Sequence, residues 1–283
     1  VLEELGYRIS KVDVGPDIAQ QLTALKPDAA FNALHGRWGE DGCVQGVLEM
    51  LHIPYTHSGV LASALAMDKP MAKRVFAAEG LLCAEGRVVS KTDMLRAEPM
   101  ARPYVIKPSN EGSSVGVTIV RENDNATFGA LSNDDGDWPF GEEVLVERYI
   151  PGREIQVAVL DGEALGAIEI VPQGKFYDYE AKYTDGKAEH LMPAPLRPEK
   201  YEEVMRLAEH AHKALGCRGL TRSDFRYYET GTDGKADDRF YLLELNSQPG
   251  MTPLSLSPEI AAHAGISFGE LVERLVKSAR LGA

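Results

Sequence analysis

Residues two apart on a strand share a face, so Arg222 and Asp224 point one way within Gly219 to Tyr228, as do Glu244 and Asn246 within Arg239 to Asn246. If these strands pair as an antiparallel hairpin, Asp224 stands opposite Glu244 and Arg222 opposite Asn246. Both pairs have the same midpoint, position 234, inside the turn-forming Asp233-Gly234. One patch then holds two carboxylates, an amide oxygen and a guanidinium. Carboxylates that close repel unless a cation lies between them, and hard oxygen donors suit Mg²⁺, which takes one or two carboxylates together with phosphate oxygens. The competing reading is an exposed hairpin with scattered charges, and a bulge would break the register.

A second stretch with chemical potential is Lys107-Pro-Ser-Asn-Glu-Gly-Ser-Ser-Val-Gly116. Gly112, Gly116, Ser113 and Ser114 leave backbone N–H groups free to surround an anion, and Lys107 adds positive charge, a combination suited to a triphosphate. It is not a P-loop, because G-x-x-x-x-G-K-[ST] is absent and no helix follows directly; Gly/Ser hairpin loops are also common for other reasons. The third stretch, His35-Gly-Arg-Trp-Gly-Glu-Asp-Gly42, follows an apolar strand and precedes a helix, where ligands of open α/β sheets bind. His35 reads equally well as a ligand contact or as a capping or core histidine. The fourth, Phe176-Tyr-Asp-Tyr-Glu-Ala-Lys-Tyr183, lies in an irregular segment from Pro172 to Pro195. Its interleaved Glu180 and Lys182 suit a closing flap over a charged substrate better than a hydrophobic plug. Lys69, near the start of a helix, is unremarkable by itself.

The elements that position these residues change character along the chain. Strands at Tyr7–Val14 and Ala29–Leu34 around a helix at Ile18–Leu25 make a βαβ unit, continued by a helix through Val44, Val47, Leu48 and Leu51 and a short strand at Ile53–Thr56. Helical patterns run from Leu61 to Glu79, interrupted by Pro70. Strands at Tyr104–Lys107, Val115–Val120, Val144–Glu147, Ile155–Leu160 and Ala164–Val171 have few helices between them and predict antiparallel sheet. A helix at Glu199–Leu215, capped by Gly216, leads to the hairpin, and helices around Pro258–Ala264 and Phe268–Leu281 finish the chain. Val1 to Gly6 reads as the last turn of a helix with Gly6 as its cap, so a preceding segment is expected.

With 283 residues, 44% hydrophobic and 26% charged, the composition is globular, about two domains long, and excludes disorder and collagen-like repeats. A net charge of −13 opposes wrapping nucleic acid or lying on an anionic membrane, although a local basic cluster can still hold phosphates. No apolar run approaches the roughly 18 residues of a bilayer span, and Val1 to Gly6 lacks the regions of a signal peptide; the expected location is the cytoplasm. Cys43, Cys83 and Cys217 are far apart, which suggests reduced thiols used as small core residues.

Taken in order, HGRWGEDG (His35 to Gly42), SGVLASALAMDK (Ser58 to Lys69), VIKPSNEGSSVGV (Val105 to Val117), FYDYEAKY (Phe176 to Tyr183), TRSDF (Thr221 to Phe225) and LLELNSQPGMT (Leu242 to Thr252) resemble the D-alanine–D-alanine ligase family of ATP-grasp enzymes over essentially the whole chain. The resemblance implies a mixed α/β and α+β, ATP-grasp fold: a Rossmann-like α/β domain, truncated at its start, over residues 1–66, then antiparallel-sheet domains over 67–149 and 150–283 that grip ATP. It implies ATP-dependent joining of two D-alanines through an acyl phosphate for peptidoglycan precursors, with Mg²⁺ or Mn²⁺, two ions per site, and a homodimer.

Carried over residue by residue, the family pattern assigns Lys69, Lys107 and Lys182 to ATP phosphates, with Ser114 and Phe176 also at the nucleotide. Glu147 and the backbone near Ile150 go to the adenine edge, and Glu154 to the ribose. Asp224, Glu244 and Asn246 match the metal ligands, Arg222 and the Gly250 N–H the oxyanion donors, and His35, Ser113, Tyr183, Ser255 and Leu256 the substrate-side positions. Three departures stand out. The family's Gly/Ser-rich first turn, with its substrate-anchoring Glu, does not occur; His57 stands where the family usually has glycine; and Trp38 fills a usually smaller position. Two other readings compete: a different ATP-grasp ligase, including one that takes D-lactate as nucleophile, and a nucleotide-binding regulatory module without catalysis.

Overall fold

Ile18 and Leu22 recur at helical spacing and turn toward Val44 and Leu48, so α1 (Ile18–Leu25) and α2 (Cys43–Met50) close a small apolar cluster with Ile53 and Tyr55. The computed structural model describes residues 1–110, 116–124, 142–172, 188–229, 237–252 and 255–282. Within them the expected amino-terminal strands are shorter than predicted. Tyr7–Val14 forms no ladder among the described residues, and Ala29–Leu34 meets Ile53–Thr56 only at a parallel bridge between Ala30 and Tyr55. The cause is local. Past Ala30 the Asn32 N–H donates to the Thr56 hydroxyl and the Leu34 N–H to the Asn32 side chain, so side chains replace the carbonyls a ladder would need.

The helical run breaks where Pro70 requires. α3 (Val60–Met67) ends at Asp68, whose carboxylate accepts from the Met71 N–H at 3.0 Å and caps α4 (Lys69–Ala78), with Pro70 in the first turn where no N–H is missed. Beyond it stands a four-stranded antiparallel sheet in the order β1-β4-β2-β3, made of β1 (Gly86–Ser90), β2 (Tyr104–Pro108), β3 (Thr118–Val120) and β4 (Glu143–Arg148). Neither β1 nor the following α5 (Lys91–Arg96) is among the predicted elements.

A second antiparallel sheet runs β7-β6-β5-β8-β9, built from β5 (Arg153–Leu160), β6 (Glu163–Pro172), β7 (Ala188–Leu191), β8 (Leu220–Tyr228) and β9 (Arg239–Asn246). β7 corrects the expectation of an irregular segment up to Pro195, because its backbone pairs with Glu169–Pro172. Ile155, Val157, Phe225, Leu242 and Leu245 bury one face of this sheet against α4 and α6 (Pro198–Ala214). The opposite face is covered at one end by Ile260 and Leu271 of α7 (Leu256–His263) and α8 (Phe268–Lys277), which leaves its other end for polar residues. α8 stops before the predicted Leu281, and Arg280 instead pairs with Tyr55. Of the thiols expected in the core, Cys43 is exposed, while Cys83 and Cys217 are partly buried.

Candidate active site

The uncovered end of the larger sheet carries the hairpin residues in the predicted register. Arg222 pairs with Asn246 and Asp224 with Glu244; a bulge follows immediately, shifting Phe225 onto Leu242 and leaving Leu243 as the extra residue. The bulge therefore falls just beyond the polar patch. Asp224 is buried and accepts two charge-assisted bonds from Arg222, Nε to Oδ1 at 2.7 Å and a terminal nitrogen to Oδ2 at 2.9 Å, which fixes the guanidinium beside the pair. Glu244 Oε2 lies 3.4 Å from Lys69 Nζ. Among the described residues no three His, Cys, Asp or Glu side chains converge as a metal-binding group. The third hard donor here is an amide, Asn246, whose Nδ2 is buried without a hydrogen bond. Two carboxylates and an amide oxygen on adjacent strands are a donor set that fits Mg²⁺.

Two lysines stand near this patch, Lys69 on α4 and Lys107 on β2 of the smaller sheet. Lys69, the first residue of α4, is tied to the end of β2 by its N–H, which donates to the Ser109 carbonyl at 3.1 Å, and Lys107 lies two residues upstream of that carbonyl. Both lysines are only 8% exposed. Lys107 pairs with Glu147 Oε2 and Lys73 with Oε1 of the same carboxylate. Burial would push the Lys107 ammonium down, yet Glu147 holds it above its usual value; burial would likewise push Glu147 up, yet Lys107 and Lys73 hold it below the usual carboxylate range. Lys73 was not singled out from the sequence, although it stands four residues after Lys69 on the same helix face, a spacing that points to it.

Other candidates gather around this centre. Gln248 donates to the Leu34 carbonyl and so brings the His35 loop against the end of β9. His35 is half-exposed, with Nδ1 3.3 Å from Glu40 Oε1. Gly250 packs on Ser255: a Cβ there would lie 2.8 Å from Ser255 Oγ, so glycine keeps the Gly250 backbone beside Ser255 and Leu256 at the start of α7. Glu154 accepts from Gln156 at 3.2 Å and lies 3.6 Å from Arg226, whose Nε also donates to the Ile150 carbonyl at 3.3 Å. Neither Gln156 nor Arg226 is among the predicted site residues. Ser113, Ser114, Phe176, Lys182, Tyr183 and the Asp233-Gly234 turn lie outside the described residues.

With this geometry in view, comparison with known proteins decides the family. A family model described as D-ala D-ala ligase C-terminus matches residues 84–277, and one described as D-ala D-ala ligase N-terminus matches residues 8–58. The chain belongs to the D-alanine–D-alanine ligase family. It is 54% identical over 279 residues to the D-alanine–D-alanine ligase of Agrobacterium fabrum, covering 98% of this chain and 89% of that one. Against the Methylorubrum populi enzyme of the same name the identity is 56% over 281 residues, covering 99% and 90%. Among solved structures, the D-alanine–D-alanine ligase of Bacillus anthracis complexed with ATP superposes with a TM-score of 0.77 at 33% identity, covering 97% of this chain and 86% of that one. A D-Ala:D-Ser ligase from Enterococcus faecalis gives 0.74 at 31%, covering 88% and 72%.

Both single-residue departures from the pattern of this ligase family sit where the backbone is left-handed: His57 has φ 66° and Trp38 φ 71°. Such a conformation favours glycine, the residue that the resemblance leads one to expect at position 57. His57 is buried, its ring meets Phe31 edge-on at 5.9 Å, and neither ring nitrogen has a hydrogen bond. Burial pushes its pKa down to about 4. Trp38 is 54% exposed under the Arg37 guanidinium, 4.7 Å above its ring.

Proposed function

We propose that this chain joins two D-alanine molecules to D-alanyl-D-alanine at the expense of one ATP, supplying peptidoglycan precursors in the cytoplasm. The observation that carries the reading is the meeting of Lys69, from the element leading into the smaller sheet, with Glu244 of the larger one, which sets phosphate-binding cations against a cation-binding carboxylate pair. ATP lies between the two sheets. Residues 67–149 and 150–283 form the gripping halves, residues 1–66 the substrate side, and the working unit is a homodimer.

A carboxylate is a poor electrophile, so a carboxylate oxygen of the first D-alanine attacks the γ-phosphorus and the bond to ADP breaks. The second D-alanine, having lost one ammonium proton to solvent, attacks the acyl carbon with its amine; the C–O bond breaks, phosphate leaves with the bonding pair, and the nitrogen gives up a second proton to form the amide. Phosphoryl transfer needs positioning and charge neutralisation more than covalent help. Lys69, Lys107 and Lys182 neutralise the phosphates. Asp224, Glu244 and Asn246 hold Mg²⁺, which screens phosphate charge when bound. Arg222, already held rigid by Asp224, and the Gly250 N–H face the oxyanion of the tetrahedral intermediate; losing one such donor typically costs about 10²–10³ in rate. His35, Ser113, Ser255 and Leu256 line the substrate side. Ser114, Phe176, Glu147, Ile150 and Glu154 surround the nucleotide. Tyr183 shuts water out and selects the amine nucleophile over D-lactate.

The test uses D-alanine labelled with ¹⁸O in its carboxylate, supplied with ATP and Mg²⁺. The reading expects dipeptide, ADP and phosphate in equal amounts, with one labelled oxygen in each phosphate. Unlabelled phosphate, or ATP hydrolysis without dipeptide, contradicts it.

A further inference from the structure

We propose that Lys73 is a positioning residue for the nucleotide phosphates, holding one oxygen of Glu147 so that the other aims Lys107 at them. The inference rests on the reading of Lys107 as a phosphate ligand, and it gives Glu147 a different task from serving the adenine edge.

Three elements build the device. The ladders set Glu147 on β4 opposite Gly86 on one side and Val105 on the other, so Lys107, two residues beyond Val105, shares its face. From α4, Lys73 reaches Glu147 Oε1 and also donates to the Ala84 carbonyl at 2.6 Å. Gly86 makes room. Its φ is not left-handed, so its missing side chain serves space alone: a Cβ would lie 2.8 Å from both Glu147 Cγ and the Val146 carbonyl oxygen, and 3.2 Å from Lys73 Nζ. Glu147 is 3% exposed, and both its oxygens are taken by ammonium groups.

The charge count explains why two lysines are needed. A buried carboxylate with a single ammonium forms a neutral pair, and an incoming phosphate would have to break it against the desolvation of the abandoned carboxylate. Two ammonium groups around one carboxylate leave a net positive charge. The phosphate can then draw on Lys107 while Lys73 keeps Glu147 compensated. Lys69 and Lys73, one helical turn apart, thus divide the work between Glu244 of one sheet and Glu147 of the other.

The experiment is calorimetric titration of the full chain with ATP, and with adenosine as the phosphate-free probe, in the absence of D-alanine. Lys73→Met is expected to weaken ATP about tenfold, within the range of coupling between contacting residues, and to leave adenosine unchanged. Lys73→Arg should restore most of the affinity. Adding Glu147→Gln to Lys73→Met should recover ATP binding relative to the single variant, because a neutral amide still accepts from Lys107 without claiming its charge. Lys73→Gln, which keeps a neutral donor beside Glu147 but removes the charge, gives a second route and should weaken ATP selectively even if Lys73→Met folds poorly. Parent-like ATP affinity in Lys73→Met, equal losses for ATP and adenosine, or a double variant weaker than the single would overturn the inference. A Lys107→Ala variant that binds ATP normally would instead sink the phosphate-site reading itself.

Discussion

Burying a charge is tolerable only beside its opposite, and the site obeys this at every position: Arg222 with Asp224, Lys69 with Glu244, and Glu147 between Lys73 and Lys107. The hairpin pairs were legible in the sequence, since strand periodicity alone fixes which of Arg222, Asp224, Glu244 and Asn246 share a face. The clasp on Glu147 was not, because it joins side chains from α4, β2 and β4 that no local pattern relates. His57 offers a prediction at this scale. Its pKa drops from the ordinary 6.5 to about 4 on folding, so between those values the unfolded chain binds a proton that the folded chain refuses. Stability should therefore fall as pH drops through this window, by up to about 3 kcal/mol from this group, and change no further below it. His57→Asn, which tolerates the left-handed backbone, should flatten that part of the profile. Thermal unfolding of both proteins at pH 7 and pH 4.5 checks this; an identical loss in the two would remove His57 as the cause.

Elements set these residues by tight backbone approach as much as by periodicity. The β8–β9 bulge just past the Asp224–Glu244 pair leaves the polar register intact, and Asp68 starts α4 so that Lys69 is its first residue. Strands of the antiparallel sheets were readable because their alternation is strong. The amino-terminal strands are shorter than their apolar runs predict, because such a run does not reveal that Thr56 and Asn32 side chains will take the ladder's hydrogen bonds. β7 escaped notice because its four residues gain strand geometry only from pairing with β6. The turn into β5 gives a test. Gly152 has φ 108°, and a Cβ there would lie 3.0 Å from the Tyr227 carbonyl carbon and closer still to its oxygen. Gly152→Ala should push β5 off β8 and cost about 2 kcal/mol or more, read as a lowered urea midpoint. A midpoint matching the parent would show that this approach is not tight.

At the scale of the whole molecule, one guanidinium just before β8 ties the segment around His57 to the segment that follows α8. Arg218 donates to the carbonyls of His57 at 2.8 Å, Leu281 at 2.9 Å and Arg280 at 2.6 Å, and lies over the Tyr55 ring at 4.8 Å. A lysine cannot reproduce that planar fork, so Arg218→Lys should destabilise by about 1–3 kcal/mol while leaving the KM for ATP near the parent value. Unchanged unfolding would show the fork to be dispensable. Among the described residues no helix is long and apolar enough to cross a membrane. The family and its two antiparallel sheets were legible from six motifs in family order rather than from any single one.

In the proposed function, carboxylates of the larger sheet hold the cation that accompanies the nucleotide, while Lys69 and Lys107 hold its phosphates. The measurement that tests it most directly is ATP affinity with and without Mg²⁺, in the parent and in Asp224→Asn, with folding checked by circular dichroism. The account predicts that Mg²⁺ tightens ATP binding by about tenfold or more in the parent and that Asp224→Asn loses most of this gain while keeping its metal-free affinity. An Asp224→Asn variant that retains the full Mg²⁺ benefit would contradict it.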